Sequence, residues 1–324
     1  MTLQENELIK IRRDLHQIPE IGLEEYETSD YLLKIINGLP QENLEIKRWK
    51  TAILVHLNGE NKSYTIGYRT DIDGLPVEEK TGLPFSSKHE GRMHACGHDI
   101  HMTVALGVLS YFASHRPKYN MTFIFQPAEE NASGGMKLYQ SGELDEWMPD
   151  EIYALHDNPQ LPAGTIGCRK GTLFAGTCEI HVKFIGKSGH AAYPHQANDM
   201  VVAGAQFVNQ IQTIVSRNVD PIQSGVVTLG HFSAGTTGNV ISGVCQIDGT
   251  IRALTQENNL LIQKRVRTIA EGIAHSFDCE LEIDLHQGGY YPVENDDNTT
   301  EAFINYMKNE DDVDFVETLP AMTG

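Results

Sequence analysis

No stretch of this chain approaches the twenty or so uninterrupted apolar residues of a membrane-spanning helix. Its opening, MTLQENELIKIRRDLHQ, lacks the apolar core of a signal peptide. The expectation is a cytoplasmic protein with no membrane partner. Basic residues are also scarce, 25 against 44 acidic ones, and the formal charge of −19 opposes binding to nucleic acid or anionic lipid. Five cysteines, at 96, 168, 178, 245 and 279, form an odd and scattered set that argues against a disulfide framework and fits a reducing compartment. There is no internal repeat and no low-complexity linker. The remainder, 40% hydrophobic and 21% charged, is ordinary globular composition. At 324 residues the chain exceeds what one core usually serves, so two domains are expected.

Leu8, Ile11, Leu15 and Ile18 stand at helical spacing and stop at Pro19, and a second helical pattern runs from about Ser29 to Ile36. AILVHL and YTIGYRTDID read as strands, the latter ending in the turn-prone DIDGLP. A helix then runs to about His115, MTFIFQPAEE is a strand ending in carboxylates, GGMKLYQSG is helical, and EIYALHD is a strand ending in His156 and Asp157. The pattern is α/β. Its polar, reactive residues fall at the C-terminal ends of apolar strands, where open α/β sheets gather their ligands.

From about Leu173 the texture changes. CEIHVKFIG, SGVVTLGHF, VISGVCQIDGTIRAL and CELEIDLH read as strands. Two helices are interleaved, one with Val201, Val208, Ile211 and Val215 on one face, the other with Ile262, Val266, Ile269, Ile273 and Phe277 in phase. The order βαββαβ is that of a ferredoxin-like split unit, a small domain inserted into the first. After it the chain returns through GGYYPVENDD and a helical stretch near Ala302 to Met307.

The chemistry concentrates in HACGHDIH, where Cys96, His98, Asp99 and His101 lie within six residues ahead of an apolar helix. Thiolate, imidazole and carboxylate are transition-metal ligands, but a turn this short cannot complete a site. Asp71, Asp73, Glu129, Glu130, His156 and Asp157 are the candidates to converge on it. In FQPAEE one carboxylate could bind metal while the other serves as a general base. Each residue also has a plain structural role open to it. Cys96 could be a small buried side chain, Asp99 a helix cap, Asp71 and Asp73 turn formers, the Glu pair a solvated turn, and His156 a hydrogen-bonded core residue. Cys96 as a nucleophile, with His98 or His101 as its base, is a further alternative. His190, Asn239 and Arg252 lie in or beside Gly-rich loops and strands, as oxyanion donors and a carboxylate fork or as mere connections.

RRDLHQIPEIGLEE, YRTDIDGLPVEE, MHACGHDIHM, FQPAEE, ALHD and GKSGHAAYPH, in this order, resemble the amidohydrolase branch of the bimetallic aminoacylase and carboxypeptidase family, which includes hippurate and auxin-conjugate hydrolases. The resemblance implies an α/β, metallo-exopeptidase-like catalytic domain at 1–172 plus 287–324. It implies an inserted ferredoxin-like (βαββαβ) dimerisation domain at 173–286, hence a homodimer. Carried over by position, it makes Cys96, His98, Glu130 and His156 ligands of two divalent ions (Zn, Mn, Co or Ni), with Glu129 the general base. Asp71 orients the metal centre from behind its ligands, and Arg69 stands where other relatives place a metal-binding His. His190 corresponds to a residue that reaches the partner subunit's active site, and Asn239 and Arg252 to substrate-holding positions. The implied substrate is a small-molecule N-acyl amino acid. The LHQIPEIGLEE opening, the GHAAYPH loop and DMVVAGAQFVNQIQTIVSRNVDP narrow it to the N-acetylated diamino dicarboxylate of lysine biosynthesis. The family pattern continues beyond ETLPAMTG to a last metal-binding His. The expectation is therefore an incomplete form, or a chain that binds its second metal badly, with an inactive dimer as the limiting case.

Overall fold

The computed structural model describes residues 2–288 and 290–323. The chain forms two compact units, Met1–Leu161 and Pro162–Gly324.

The first unit contains α1 (Glu5–His16), α2 (Tyr26–Asn37), β1 (Leu44–Trp49), β2 (Ala52–Leu57), β3 (Asn61–Asp71), α3 (His98–Ser114), β4 (Tyr119–Gln126), α4 (Gly134–Gln140) and β5 (Glu151–Ala154). Ile11, Leu15 and Ile18 are buried together, so the helical spacing of α1 does place one face inward. The strands form one sheet in the order β1-β2-β4-β3-β5. β1 and β2 form an antiparallel edge, whereas β4, β3 and β5 run parallel. All six residues of β2 are buried, as in a strand covered on both faces. On one face Phe123 and Phe125 pack with Leu15, Leu32, Leu106 and Leu109 from the first three helices, and on the other Ile124 packs with Leu54, Leu138 and Trp147. Because β3, β4 and β5 are parallel, they all deliver their following residues to the same edge of the sheet. EIYALHD is a strand only to Ala154, which leaves His156 and Asp157 in the loop beyond it.

The second unit comprises β6 (Thr165–Gly167), β7 (Gly171–Phe174), β8 (Gly176–Ile185), β9 (Gly189–His190), α5 (Met200–Arg217), β10 (Gly225–Ala234), β11 (Val240–Ile241), β12 (Val244–Ala253), α6 (Gln256–Ser276), β13 (Glu280–His286), β14 (Val293–Asn295), α7 (Asp297–Met307) and β15 (Asp314–Val316). β10-β12-β8-β13 form an antiparallel sheet. Along β8, Cys178, Ile180, Val182 and Phe184 face a core made with α5 and α6, while Glu179 and His181 face outward, the alternation that a half-buried strand requires. Asp199 caps α5 by accepting the Val201 and Val202 amides. The buried face of α5 is Met200, Ala203, Gly204, Phe207, Ile211 and Ile214. Val201 and Val215, expected on that face, are instead exposed, because the helix is apolar around most of its first two turns and its periodicity does not single out one phase. After β13 the chain pairs with the strands that precede the four-stranded sheet: β14 with β7, antiparallel, and β15 with β6, parallel. Among the described residues no helix is long and apolar enough to cross a membrane.

Truncating the buried ring in Phe207→Ala should lower stability by about 3–5 kcal/mol, whereas Val201→Ser should stay within about 0.5 kcal/mol, as read from urea unfolding midpoints.

Candidate metal centre

Each reactive side chain is supplied by a strand end or a helix start. β3 ends at Asp71 and turns through Asp73; β4 ends at Gln126 and turns through Pro127 and Ala128 to Glu129 and Glu130; β5 is followed by His156. α3 begins at His98, with Gly97 as its cap in the left-handed conformation, φ 81°. A Cβ at Gly97 would lie 2.1 Å from Asp157 Oδ1, so a side chain here meets both backbone strain and a clash. Asp99, a candidate cap of this helix, does not cap it. Its buried carboxylate lies 2.8 Å from both Arg12 Nε and His16 Nδ1 of α1, an ion pair that ties the start of α3 to the N-terminal helix.

Around these ends, ligand atoms of Cys96, His98 and His156 lie within 4.8 Å of one another, as do those of His98, Glu129 and Glu130. Two further groups of this kind are Asp71, His98 and His101, and His101, His156 and Asp157. His98 donates its Nδ1–H to the Asp73 carbonyl at 2.8 Å, and His156 donates its Nδ1–H to the Asp157 carbonyl at 2.8 Å. Both rings are therefore oriented through Nδ1, which leaves Nε2 as the atom turned toward the cluster. Cys96 Sγ is 3.5 Å from His156 Nε2, and His98 Nε2 is 3.7 Å from Glu130 Oε1. Ligands at roughly 2.0–2.3 Å from a tetrahedral ion stand about 3.4–3.7 Å apart, so these separations fit a shared cation. His98 Nε2 and Glu130 Oε1 are buried without a hydrogen-bond partner, a rare condition that coordination would satisfy.

The electrostatics agree. Burial alone would depress the His98 pKa, but Asp73, Cys96 and Asp71 outweigh it and push it up to about 11. The cluster thus demands positive charge at this point, from a proton or from an ion that displaces it. Burial would likewise raise Asp71, yet its hydrogen bond with His101 (2.7 Å) and the Arg69 guanidinium (2.7 Å) hold it well below the usual carboxylate range. Burial raises Glu129 against the pull of Arg69, and burial together with the Glu129 charge raises Glu130. At Cys96 the neighbouring His98 lowers the thiol pKa, but burial and the Glu130 carboxylate outweigh it and the net direction is upward. An activated nucleophile needs the opposite shift, which weighs against the thiol-hydrolase alternative.

The first unit therefore brings together six of the residues singled out in the sequence: Asp71, Cys96, His98, Glu129, Glu130 and His156. Three more belong with them. His101, one turn along α3 from His98, has Nδ1 on Asp71 and receives the Asp157 N–H on Nε2 at 2.9 Å. Asp73 accepts the Glu130 N–H at 3.0 Å through its carboxylate. The spacing of three between His98 and His101 was the available signal for His101, since it puts both rings on one helical face; Asp73 and Asp157 were candidates from their places after apolar strands. His190, Asn239 and Arg252 lie in the second unit. His190 and Asn239 are exposed neighbours: the Ala191 N–H donates to the Asn239 carbonyl at 3.1 Å, and β9 pairs with β11. Arg252 is eight residues along β12 from Val244, about 26 Å at 3.3 Å per residue. Its guanidinium contacts the Thr177 and Thr250 hydroxyls.

Replacing Gly97 by Ala should cost at least about 1–2 kcal/mol from the left-handed backbone alone and should also displace Asp157, as seen in a lowered melting temperature and weakened metal binding.

Residues 67–324 match Peptidase family M20/M25/M40. The chain is 99% identical over 324 residues to the N-acetyldiaminopimelate deacetylase of Ligilactobacillus salivarius, covering 100% of this chain and 85% of that protein. It is 70% identical over 328 residues to the N-acetyldiaminopimelate deacetylase of Lactiplantibacillus plantarum, with the same coverage of 100% and 85%. Among solved structures it is similar to the YxeP protein of Bacillus subtilis, a dinuclear metal-binding peptidase from the M20 family (TM-score 0.79, 31% identity, 98% of this chain and 83% of that one). On the strength of a match spanning most of its length, this chain belongs to Peptidase family M20/M25/M40.

Proposed function

We propose that this chain is a metal-dependent amidohydrolase that cleaves N-acetyl-L,L-2,6-diaminopimelate to L,L-diaminopimelate and acetate, a deacetylation in lysine biosynthesis. The reaction type rests on the meeting of Cys96, His98, His156, Glu129 and Glu130 at one sheet edge. The substrate rests on two relatives, 99% and 70% identical, that are N-acetyldiaminopimelate deacetylases. They favour it over the broader class of N-acyl amino acids.

Cys96, His98, Glu130 and His156 hold two divalent ions, of which zinc, manganese, cobalt and nickel all suit so mixed a ligand set. Bound there, such ions polarise an amide carbonyl and acidify a water. Glu129 takes a proton from the attacking water at a carboxylate oxygen and passes it to the leaving amine nitrogen, a double role suited to a carboxyl whose pKa burial has raised. Asp71, fixed between His101 and Arg69, orients the imidazoles rather than reacting.

In the second unit, the sheet β10-β12-β8-β13 and helices α5 and α6 are read as the ferredoxin-like domain, 173–286, through which two copies pair. Exposed Val201 and Val202 of α5 and exposed Phe232 of the edge strand β10 support that surface. Residues 287–324 belong with 1–172 as the catalytic domain; the pairing of β14 and β15 with β7 and β6 supports grouping this segment with the chain just before the inserted sheet. His190 Nδ1 accepts the Ala192 N–H at 3.1 Å, so its proton sits on Nε2. That Nε2–H, with Asn239 beside it, donates to the oxyanion in the partner subunit, while Arg252 holds the α-carboxylate. Arg252 pairs with Thr177 at the end of β12 opposite Val244, which pairs with Ile185 on the way to His190, and that separation supports their serving different active sites. Five unpaired cysteines support a cytoplasmic location, and the charge of −19 supports the absence of nucleic-acid and membrane partners.

Acetate release from a panel of N-acetyl amino acids, with and without added divalent metal, should be fastest for N-acetyl-L,L-2,6-diaminopimelate and should stop on chelation. A preference for another acyl amino acid overturns the substrate. Glu129→Gln should keep metal and substrate while losing about 10²- to 10⁴-fold in kcat.

A further inference from the structure

IPEIGLEE, residues 18–25, has no part in the chemistry above, yet it contacts both turns that build the centre. The Glu20 carbonyl accepts the Gly74 N–H at 2.7 Å, at the turn that follows Asp73. Gly22 lies against the other turn: a Cβ there would come 2.7 Å from Ala128 Cα and 2.4 Å from Asn131 Oδ1. Glu25, fully buried, accepts the Ala128 N–H on Oε1 at 2.8 Å and the Thr51 hydroxyl on Oε2 at 2.6 Å.

Ala128 is the unusual residue of its turn. Its φ is +51°, a left-handed conformation that a residue with a Cβ adopts only when its surroundings impose it. That conformation is also what the site needs. Successive side chains of a regular strand point to opposite faces, whereas Glu129 and Glu130 must serve one cluster. Both glutamates lie in the turn beyond β4, where strand alternation no longer holds, and the left-handed residue at 128 sets the direction in which that turn leaves the strand. The turn is held at residue 128 by Glu25 and at residue 130 by Asp73, whose carboxylate accepts the Glu130 N–H at 3.0 Å. The Ala128 carbonyl, accepting the Gly134 N–H at 2.9 Å, closes it from the far side. Burying a carboxylate is costly, and packing alone could be met by an apolar side chain; what the carboxylate adds is a strong, directed acceptor for one strained amide.

We infer that Glu25 is a positioning residue. Its carboxylate fixes Ala128 in the left-handed conformation and thereby aims Glu129 and Glu130 into the metal cluster, an inference that rests on the metal reading of that cluster. Glu25 touches neither substrate nor ion. Its loss should therefore appear in metal affinity while the protein is still folded, which a purely structural role would not produce.

The test is titration of metal-free protein with Co²⁺, well below the melting temperature, with folding checked by circular dichroism. Glu25→Ala should bind Co²⁺ about 10- to 100-fold more weakly than wild type. Glu25→Gln, which keeps an oxygen for the Ala128 N–H, should stay within about threefold, a fraction of that loss. Gly22→Ala reaches the same turn by steric displacement. It should weaken Co²⁺ binding similarly, and it carries the comparison if Glu25→Ala does not fold. Affinities within about twofold of wild type in the folded variants, whatever their melting temperatures, would overturn the inference. A wild-type chain that binds no Co²⁺ would overturn the metal reading, and this inference with it.

Discussion

Negative charge buried at one edge of a sheet is the constraint on which this molecule turns. Asp71, Asp73 and Asp99 are essentially inaccessible to water, and Glu129 and Glu130 are pushed toward protonation by burial. Carboxylates so placed are tolerated only when cations or directed hydrogen bonds answer them. Arg12 and His16 answer Asp99; Arg69 and His101 answer Asp71. What stays uncompensated is His98 Nε2 and Glu130 Oε1, buried without a hydrogen-bond partner, the place where a divalent ion would complete the balance.

The backbone serves the same end. Parallel pairing of β3, β4 and β5 brings three strand ends to one edge. Two left-handed residues, Gly97 and Ala128, then redirect the chain where regular geometry would aim side chains away. Glycine takes such a conformation freely; alanine takes it because buried partners hold its amide and carbonyl. Strain at the turn and order in the N-terminal loop are thus two sides of one arrangement, and the first helix, remote in sequence, is joined to the centre through Asp99 and the Glu20–Glu25 segment.

Much of this was legible in the sequence. Apolar runs ending in DID, QPAEE and ALHD announced strands with reactive ends, and the clustering of ligand types pointed to side chains that the fold brings together, because several weak signals coincided. The failures have physical reasons. α5 could not be phased because Met200, Val201, Val202 and Ala203 make its start apolar all round, so packing against the sheet, and not periodicity, decides which residues are covered. Asp99 read as a helix cap because its partners lie 83 and 87 residues earlier, on α1. The role of Ala128 was invisible, since a left-handed alanine follows from tertiary hydrogen bonds and carries no compositional mark.

The central claim is that one sheet edge of this chain holds divalent ions, and anomalous diffraction from a crystal grown with Mn²⁺ or Zn²⁺ addresses it most directly. The account predicts anomalous density at bonding distance, about 2.0–2.3 Å, from Cys96 Sγ, His98 Nε2, His156 Nε2 and a Glu130 oxygen. A map with no peak among those atoms, or with the ion bound at other residues, would contradict it.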